Sequence, residues 1–470
     1  MQEVNFWNNL ERPIIGLSPM DGVTDGAFRY MIAKYSRPGV MMTEFTNVEG
    51  LARGASEMLK AFIYDEIERP IVAQIYGVEV DSFYKCTVML LAMGFDGVDI
   101  NMGCPANKVA SRGSGAGLIQ TPELAKEIIR ACKRGAVDWA NGISLEEAGV
   151  HENLRAVVRV VGERVLRPIS VKTRIGFDED TAEEWMKHLL EEKPANITLH
   201  GRTLKQMYLG EANWAAIGRA ANVVRGSGVS FLGNGDVHSM ADARAKCEQY
   251  GLDGVLVGRA VMGKPWFFDG EEPVTLEERM AVLLEHCRYF VSLGHLPFHV
   301  IKKHLAWYCH GFVGAKEMRM AMMRAGGLDD VEEIIKNHKG GQREGKLRRG
   351  RSWRMFWSIR WRGRENGGRI FFRVQVSWCW NWVVVRGSIL GIWRRSFRRR
   401  ILLELIGRGI GFGVGRRILG VGRMRGFVGF GLSGWRIFLR LGRWMRFGGL
   451  FRIRDRSRRR RIKGGFHRAF

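Results

Sequence analysis

The chain has 470 residues, enough for two or three domains and a sizeable core. Its formal charge of +26 is unevenly spread: of 74 Lys+Arg and 48 Asp+Glu, 35 and 4 fall in 341–470, leaving 39 and 44 in residues 1–340. Seven cysteines with neither a CxxC pair nor a cluster argue against a zinc site, an iron–sulfur centre or a disulfide framework, and no metal is expected.

The first residues, Met1-Gln2-Glu3-Val4, lack the basic-then-apolar order of a signal peptide. No uncharged apolar run reaches membrane-spanning length, so a cytoplasmic protein without a membrane partner is expected. From residue 14 to about 262, short apolar runs alternate with helical patterns eight times. The candidate strands are 14–20, 40–45, 71–76, 98–101, 169–174, 197–200, 230–233 and 254–258. Helices are expected between most of them, at 123–133 after the Thr121-Pro122 start, at 181–192 and at 239–249, where Ser239 and Asp242 suggest a capping box. A longer connection at 134–167 holds a further helical run, 154–161. Eight βα units in this length fit an α/β fold, a closed (β/α)8 TIM barrel over residues 1–268. The rival open doubly wound sheet lacks a GxGxxG after the first strand, where Pro19-Met20-Asp21-Gly22 stands instead.

Residues 273–340 read as a small all-helical domain. Thr275 with Glu278 forms a capping box, Met280, Leu283, Leu284, Cys287 and Phe290 recur at helical spacing, and helices are expected over 300–308, 316–325 and 329–336. Lys302, Lys303 and His304 are placed off the apolar face. The tail, 341–470, is an anomalous basic low-complexity segment with 24 Gly, nine of the 15 Trp and no Pro, Thr or Tyr. It reads either as a disordered Arg/Gly/Trp-rich RNA-binding arm or as a run-on translation in the wrong frame. The second reading is favoured, because disordered arms are rarely so rich in Trp, Phe, Ile and Leu.

In a barrel of this kind the working residues gather at the carboxyl ends of the strands. Those ends carry Pro19 and Met20, Glu44, Gln74, Asn101 and Cys104, Lys172 and Arg174, His200 and Arg202, Asn234 and Asp236, and Gly258 and Arg259. Phosphates in such barrels are commonly held after strands seven and eight, the places of Asn234-Gly235-Asp236 and Gly258-Arg259. A phosphate there, with Gln74, Lys172 and His200 across the mouth, suits a flat phosphorylated cofactor such as FMN. The plain alternative for Lys172 is an ion pair with Asp99 or Asp236, and for Cys104 an inert buried thiol.

Taken together, Ser18-Pro19-Met20-Asp21-Gly22-Val23-Thr24-Asp25, Gln74, the run 101–108 (Asn-Met-Gly-Cys-Pro-Ala-Asn-Lys), 171–176, His200-Gly201-Arg202-Thr203, Gly233-Asn234-Gly235-Asp236, 257–260 and the run 304–308 resemble the tRNA-dihydrouridine synthases. The resemblance covers about residues 10–330. It implies that Ser18, Pro19, Met20, Gln74, Lys172, His200, Asn234, Gly235, Asp236, Gly258 and Arg259 hold FMN. Asn101 and Arg174 would lie beside the target uracil, and Cys104 would donate a proton. It further implies reduction of the uracil C5=C6 bond in tRNA, with NADPH or NADH as reductant, and a helical domain that grips tRNA phosphates through Lys302, Lys303, His304 and Arg319. No protein partner is implied. The alternatives are an FMN barrel acting on a small molecule, of dihydroorotate or enoate type, and a non-catalytic RNA-binding protein driven by the basic tail.

Overall fold

The computed structural model describes residues 4–106, 112–207, 209–269 and 275–344, with side chains to 338, and the backbone of seven strands beyond them. Two units are distinct, 1–345 and 346–470. In the first, strands β1 (Ile14–Leu17), β2 (Met41–Met42), β3 (Thr46–Asn47), β4 (Ile71–Tyr76), β5 (Gly97–Met102), β6 (Ile169–Arg174), β7 (Asn196–His200), β8 (Ser230–Asn234) and β9 (Gly254–Val257) lie in one parallel sheet. Its order is β1-β9-β8-β7-β6-β5-β4-β2, with β3 also on β4. Gly39 N donates to Ile15 O at 2.8 Å and Leu17 N to Val40 O at 2.9 Å, which brings the first strand back against the second and closes the barrel. The eight-unit TIM-barrel expectation holds.

Expected strand 40–45 is two pieces, β2 and β3. Met42 pairs with Val72 and Thr46 with Ile75, so one extra residue is accommodated on that side. This bulge breaks the ladder at Thr43, Glu44 and Phe45, at the rim of the barrel, where bulges commonly re-aim side chains.

Alternation along the strands separates the barrel interior from the helix-facing layer. Ile14, Val40, Met42, Val72, Leu232 and Leu256 form an apolar cluster closed by fully buried Trp7. A much larger cluster fills the space between strands and surrounding helices, with Trp139, Trp185, Phe83 and Phe95 among its members. Farther along the strands the buried residues turn polar: Gln74, Asp99, Ser170 and Thr198 are all essentially inaccessible.

Several local expectations change. Pro122 opens helix Pro122–Ala140, but the Thr121 hydroxyl makes no capping bond. Ser239 caps Met240–Tyr250 by accepting from Asp242 N, while the Asp242 carboxylate turns to His238 N, so the reciprocal half of the box is missing. The run 154–161 yields only the helix Glu152–Arg155. Val157, Val158, Val160 and Val161 are β-branched and disfavour continuation, and Val161 and Gly162 instead donate their backbone N–H groups to Ala92 O at 2.9 Å.

After the barrel come helices Leu276–Leu293, Lys302–Tyr308, Ala315–Arg324 and Leu328–Glu344. The Thr275–Glu278 capping box is present in full. Their shared core includes Met280, Leu283, Cys287, Phe290, Leu305 and Met322, and extends to Ala27 and Met31 of the barrel helix Gly26–Tyr35. His304 does not lie off the apolar face: it is 1% exposed, its ring 5.2 Å from Phe28 and its Nε2 3.6 Å from Asp25 Oδ2. On a helix of seven residues the inward face must hold both His304 and Tyr308, one turn apart. Trp307 presses its backbone carbonyl against Gly263, where a Cβ would collide.

In the second unit, Ser358–Asn366, Arg369–Ser377 and Arg399–Glu404 form one antiparallel sheet. Phe427–Leu432 pairs with Trp435–Arg440, and Leu450–Arg454 with Lys463–His467. The other tail residues beyond 344, residues 107 and 108 of the cysteine-bearing run, and the expected boundary at Pro273 lie outside the described residues. Among the described residues no helix is long and apolar enough to cross a membrane.

Candidate active site

β5 ends in Asn101-Met102, and the chain then turns through Gly103 to Cys104. The Asn101 side chain makes the turn, its Oδ1 accepting Gly103 N–H at 3.0 Å and Cys104 N–H at 2.8 Å. Its Nδ2 donates to Gln74 Oε1 at 3.0 Å. Gly103 lets the bend lie close to β6: a Cβ there would stand 3.2 Å from the Thr173 backbone, a tight contact. On the far side, Arg174 Nε donates to Gly103 O at 2.6 Å and Ala116 N–H to Cys104 O at 3.2 Å. The thiol is thus fixed on a loop bound to β5, β6 and the segment after it.

The Cys104 side chain is buried, and burial raises its pKa above the ordinary thiol value, partly offset by a bond from Ala106 N–H. It is a protonated thiol at neutral pH. A nucleophilic cysteine would need the opposite shift.

Lys172 is the cross-strand neighbour of Asn101, on β6. Its ammonium donates to Asn234 Oδ1 at 3.1 Å, and Asn234 Nδ2 donates in turn to Leu256 O at 2.8 Å. Among the described residues it forms no ion pair with Asp99 or Asp236, although the Asp99 charge acts on it. Burial, then the charge of Arg174, lowers its pKa to about 8. Asp99 has other partners: Gln74 Nε2 and Ser170 Oγ both donate to it at 2.7 Å, and burial pushes its pKa up to about 6.

His200 ends β7 opposite Asn234. Burial, followed by the charges of Lys172, Arg174, Arg202 and Arg259, holds its pKa well below the usual imidazole value, so the ring is neutral. Gly235 follows with φ +126°, and a Cβ there would stand 2.6 Å from Ala212 Cβ and 3.1 Å from the His200 ring. Asp236 next adopts φ +46° and accepts from Arg202 at 2.6 and 3.2 Å, Arg259 at 2.6 Å and Ala212 N–H at 2.9 Å. Burial works against its charge, but the bonds from Arg202 and Ala212 hold its pKa below the ordinary carboxylate value. Gly258 closes the ring: the nearest atoms to a Cβ there would be Met20 Sδ at 3.5 Å and Ser18 Cβ at 3.8 Å. Ser18 N–H donates to Val257 O at 2.8 Å, and Met20 is tied to Thr24 through N–H and carbonyl.

The expected site residues thus follow the carboxyl ends of the strands, and hydrogen bonds or close approaches join β4 to β5, β6 to β8 and β9 to the turn after β1. Two of these residues are also engaged by the protein itself. Arg174 donates to the carbonyls of Gly103, Thr203 and Met207, so it braces the loops around the thiol. Asp236 is an anion clamped between Arg202 and Arg259.

Three further groups stand at the mouth: Arg202 and Glu44, both expected at strand ends, and Tyr76, which the strand-end pattern does not single out. Arg202, 3% exposed, holds Leu209 O and Gly210 O besides Asp236. Glu44, brought to the rim by the bulge, has a pKa raised to about 7 by burial and then by Asp25 and Asp21. Tyr76, two residues beyond Gln74, stands edge-on to Phe45 at 5.2 Å.

A family model described as Dihydrouridine synthase (Dus) matches residues 16–140 and 145–339. A probable tRNA-dihydrouridine synthase of Staphylococcus aureus (strain MRSA252) is 32% identical over 340 residues, 70% of this chain and 94% of that protein. Probable tRNA-dihydrouridine synthase 2 of Bacillus subtilis (strain 168) is 32% identical over 341 residues, 70% of this chain and 95% of that protein. A solved structure of ligand-free DHODH from Eimeria tenella overlaps 53% of this chain and 79% of its own, at 12% identity and a TM-score of 0.35.

Proposed function

The chain belongs to the dihydrouridine synthase family, and from that premise we propose that it reduces the C5=C6 bond of uridines in tRNA, with Cys104 as proton donor. One observation carries the reading: Asn101 both neighbours Lys172 across the β5–β6 ladder and accepts the Cys104 N–H, so thiol and amine share one mouth.

The donor set fits FMN. Gly258 leaves bare backbone at the end of β9, and Gly235 occupies a conformation that a side chain would obstruct. Arg259, 58% exposed and aimed by Asp236, supplies a guanidinium for a phosphate. Gln74, Lys172, His200 and Asn234 would meet the ring and ribityl groups, and the Ser18-Pro19-Met20 backbone the other edge. Bound FMN, reduced by NADPH or NADH, supplies hydride to one carbon of the uracil double bond.

The chain's own residues do the remainder. Cys104 keeps its proton because burial raises its pKa, and it delivers that proton to the second carbon. Asn101 and Arg174 hold the thiol's loop beside the base. A uridine reaches this depth only by leaving its stack in the RNA. The helical segment supports tRNA binding through Lys302, Lys303 and Arg319, whereas buried His304 serves the junction with the barrel.

The test is dihydrouridine formation by the purified full chain with NADPH and a transcribed, unmodified tRNA. Activity with tRNA exceeding that with free uridine or orotate is the expected result. Faster NADPH oxidation with orotate than with tRNA would instead mark a small-molecule oxidoreductase, and RNA binding without reduction a binding protein.

A further inference from the structure

A groove of about 450 Å3 opens on the helical segment, lined by Lys303, Ala306, Trp307, Arg319 and Met323. Clefts for small ligands span roughly 300–1,000 Å3, so a single nucleotide is within its reach. The Trp307 ring is held edge-to-face against His304 at 4.9 Å, which orients the indole. Arg319 is braced by a 2.8 Å bond to Cys309 O, and neither it nor Lys303 is ion-paired with a described carboxylate. Met323, 49% exposed, gives the lining a deformable apolar edge.

The groove also abuts the barrel. Lys303 Nζ lies over the turn at Gly22, 3.3 Å from where a Cβ would stand, and that turn directly follows Met20 and Asp21 at the end of β1. An aromatic face flanked by two cations is the chemistry of single-stranded nucleic acid: base on ring, phosphate on ammonium or guanidinium. With 39 basic and 44 acidic residues in 1–340, RNA attraction to this part of the chain has to come from such a local patch.

We propose that this groove is a second nucleotide site, taking one base of the RNA strand that flanks the uridine in the barrel mouth, stacked on Trp307 with its phosphate on Lys303 and Arg319. The proposal rests on the tRNA reading and adds a specific place for a neighbouring base. Such a site would hold the strand while the target uridine is drawn out of its stack.

The test uses the full-length protein, with flavin absorbance as the fold control. Trp307→Ala raises the KM for a transcribed tRNA by about tenfold and leaves kcat within about twofold, while Trp307→Phe, which keeps an aromatic face, recovers most of the loss. Lys303→Gln lowers the salt dependence of tRNA affinity by about one phosphate contact. Near-ultraviolet crosslinking of a transcript containing 4-thiouridine places adducts within residues 302–308 or 315–324. An unchanged KM in Trp307→Ala, or adducts confined to other segments, overturns the site. If the wild type forms no dihydrouridine, the proposed reaction fails instead. Filter binding of the same transcript then decides the groove, equal affinities of wild type and Trp307→Ala ruling it out.

Discussion

Asn101 Oδ1 accepts the backbone N–H of Cys104 at 2.8 Å, so the amide that ends β5 sets the position of the thiol beyond it. The two residues should fail differently. Cys104→Ala retains flavin and loses turnover on tRNA by about 10²–10⁴-fold, the range for removing a general acid. Asn101→Ala leaves two backbone N–H groups unsatisfied, at about 1–3 kcal/mol each, and lowers both turnover and melting temperature. Single-turnover kinetics and thermal melts separate them; full activity in Cys104→Ala would remove the thiol from the chemistry.

Flavin retention should weaken in alkali. The Lys172 pKa is lowered to about 8 by burial and Arg174, so its ammonium is charged below that pH and lost above it. FMN affinity, followed by flavin fluorescence from pH 6.5 to 9.5, falls as pH rises through about 8. Lys172→Gln binds more weakly and shows no such step. A step of the same size in that variant would assign the titration to another group.

Glu44 offers a stability test. Burial, then Asp25 and Asp21, raises its pKa to about 7, so the fold favours the protonated form. The stability it contributes is complete below the ordinary carboxyl pKa and is lost as pH rises through about 7. Glu44→Gln, which mimics the neutral acid, should gain on the order of 1–3 kcal/mol over wild type at pH 8 and little at pH 4.5. Denaturant melts at both pH values check this, and an equal gain at both would show that charge is not the cause.

Removal of 346–470 distinguishes an enzyme from a tail-driven RNA binder. The deleted chain should melt like the full one and make dihydrouridine at an unchanged rate, whereas loss of all RNA binding would assign the function to the basic segment. Intact mass of the native protein, against 53.4 kDa for the whole chain, shows whether that segment is made at all.

The strand ends were legible because period-two alternation, punctuation by Gly and Pro, and the polar residue closing each strand agree along the chain. Gln74, Cys104, Lys172 and His200 could be placed at one mouth on that ground alone. What escaped depends on distant partners. The bulge at Glu44 is a mismatch between Met42–Thr46 and Val72–Ile75, which neither segment shows by itself. His304 reads as a polar residue beside two lysines, yet Phe28 and Asp25 of the barrel enclose it. Asp236 reads as one more residue of the loop after the seventh strand, and its grip on Arg202 and Arg259 depends on partners far away in the chain.

The contact of Trp307 with Gly263, and of His304 with Asp25, bears on how such proteins can be recombined. A helical segment grafted from another barrel would need a backbone approach matched to a residue without a side chain, and an imidazole to meet a carboxylate already shut away from water. Chimeras joined between residues 269 and 275 should therefore tolerate exchange only when both halves of this junction travel together.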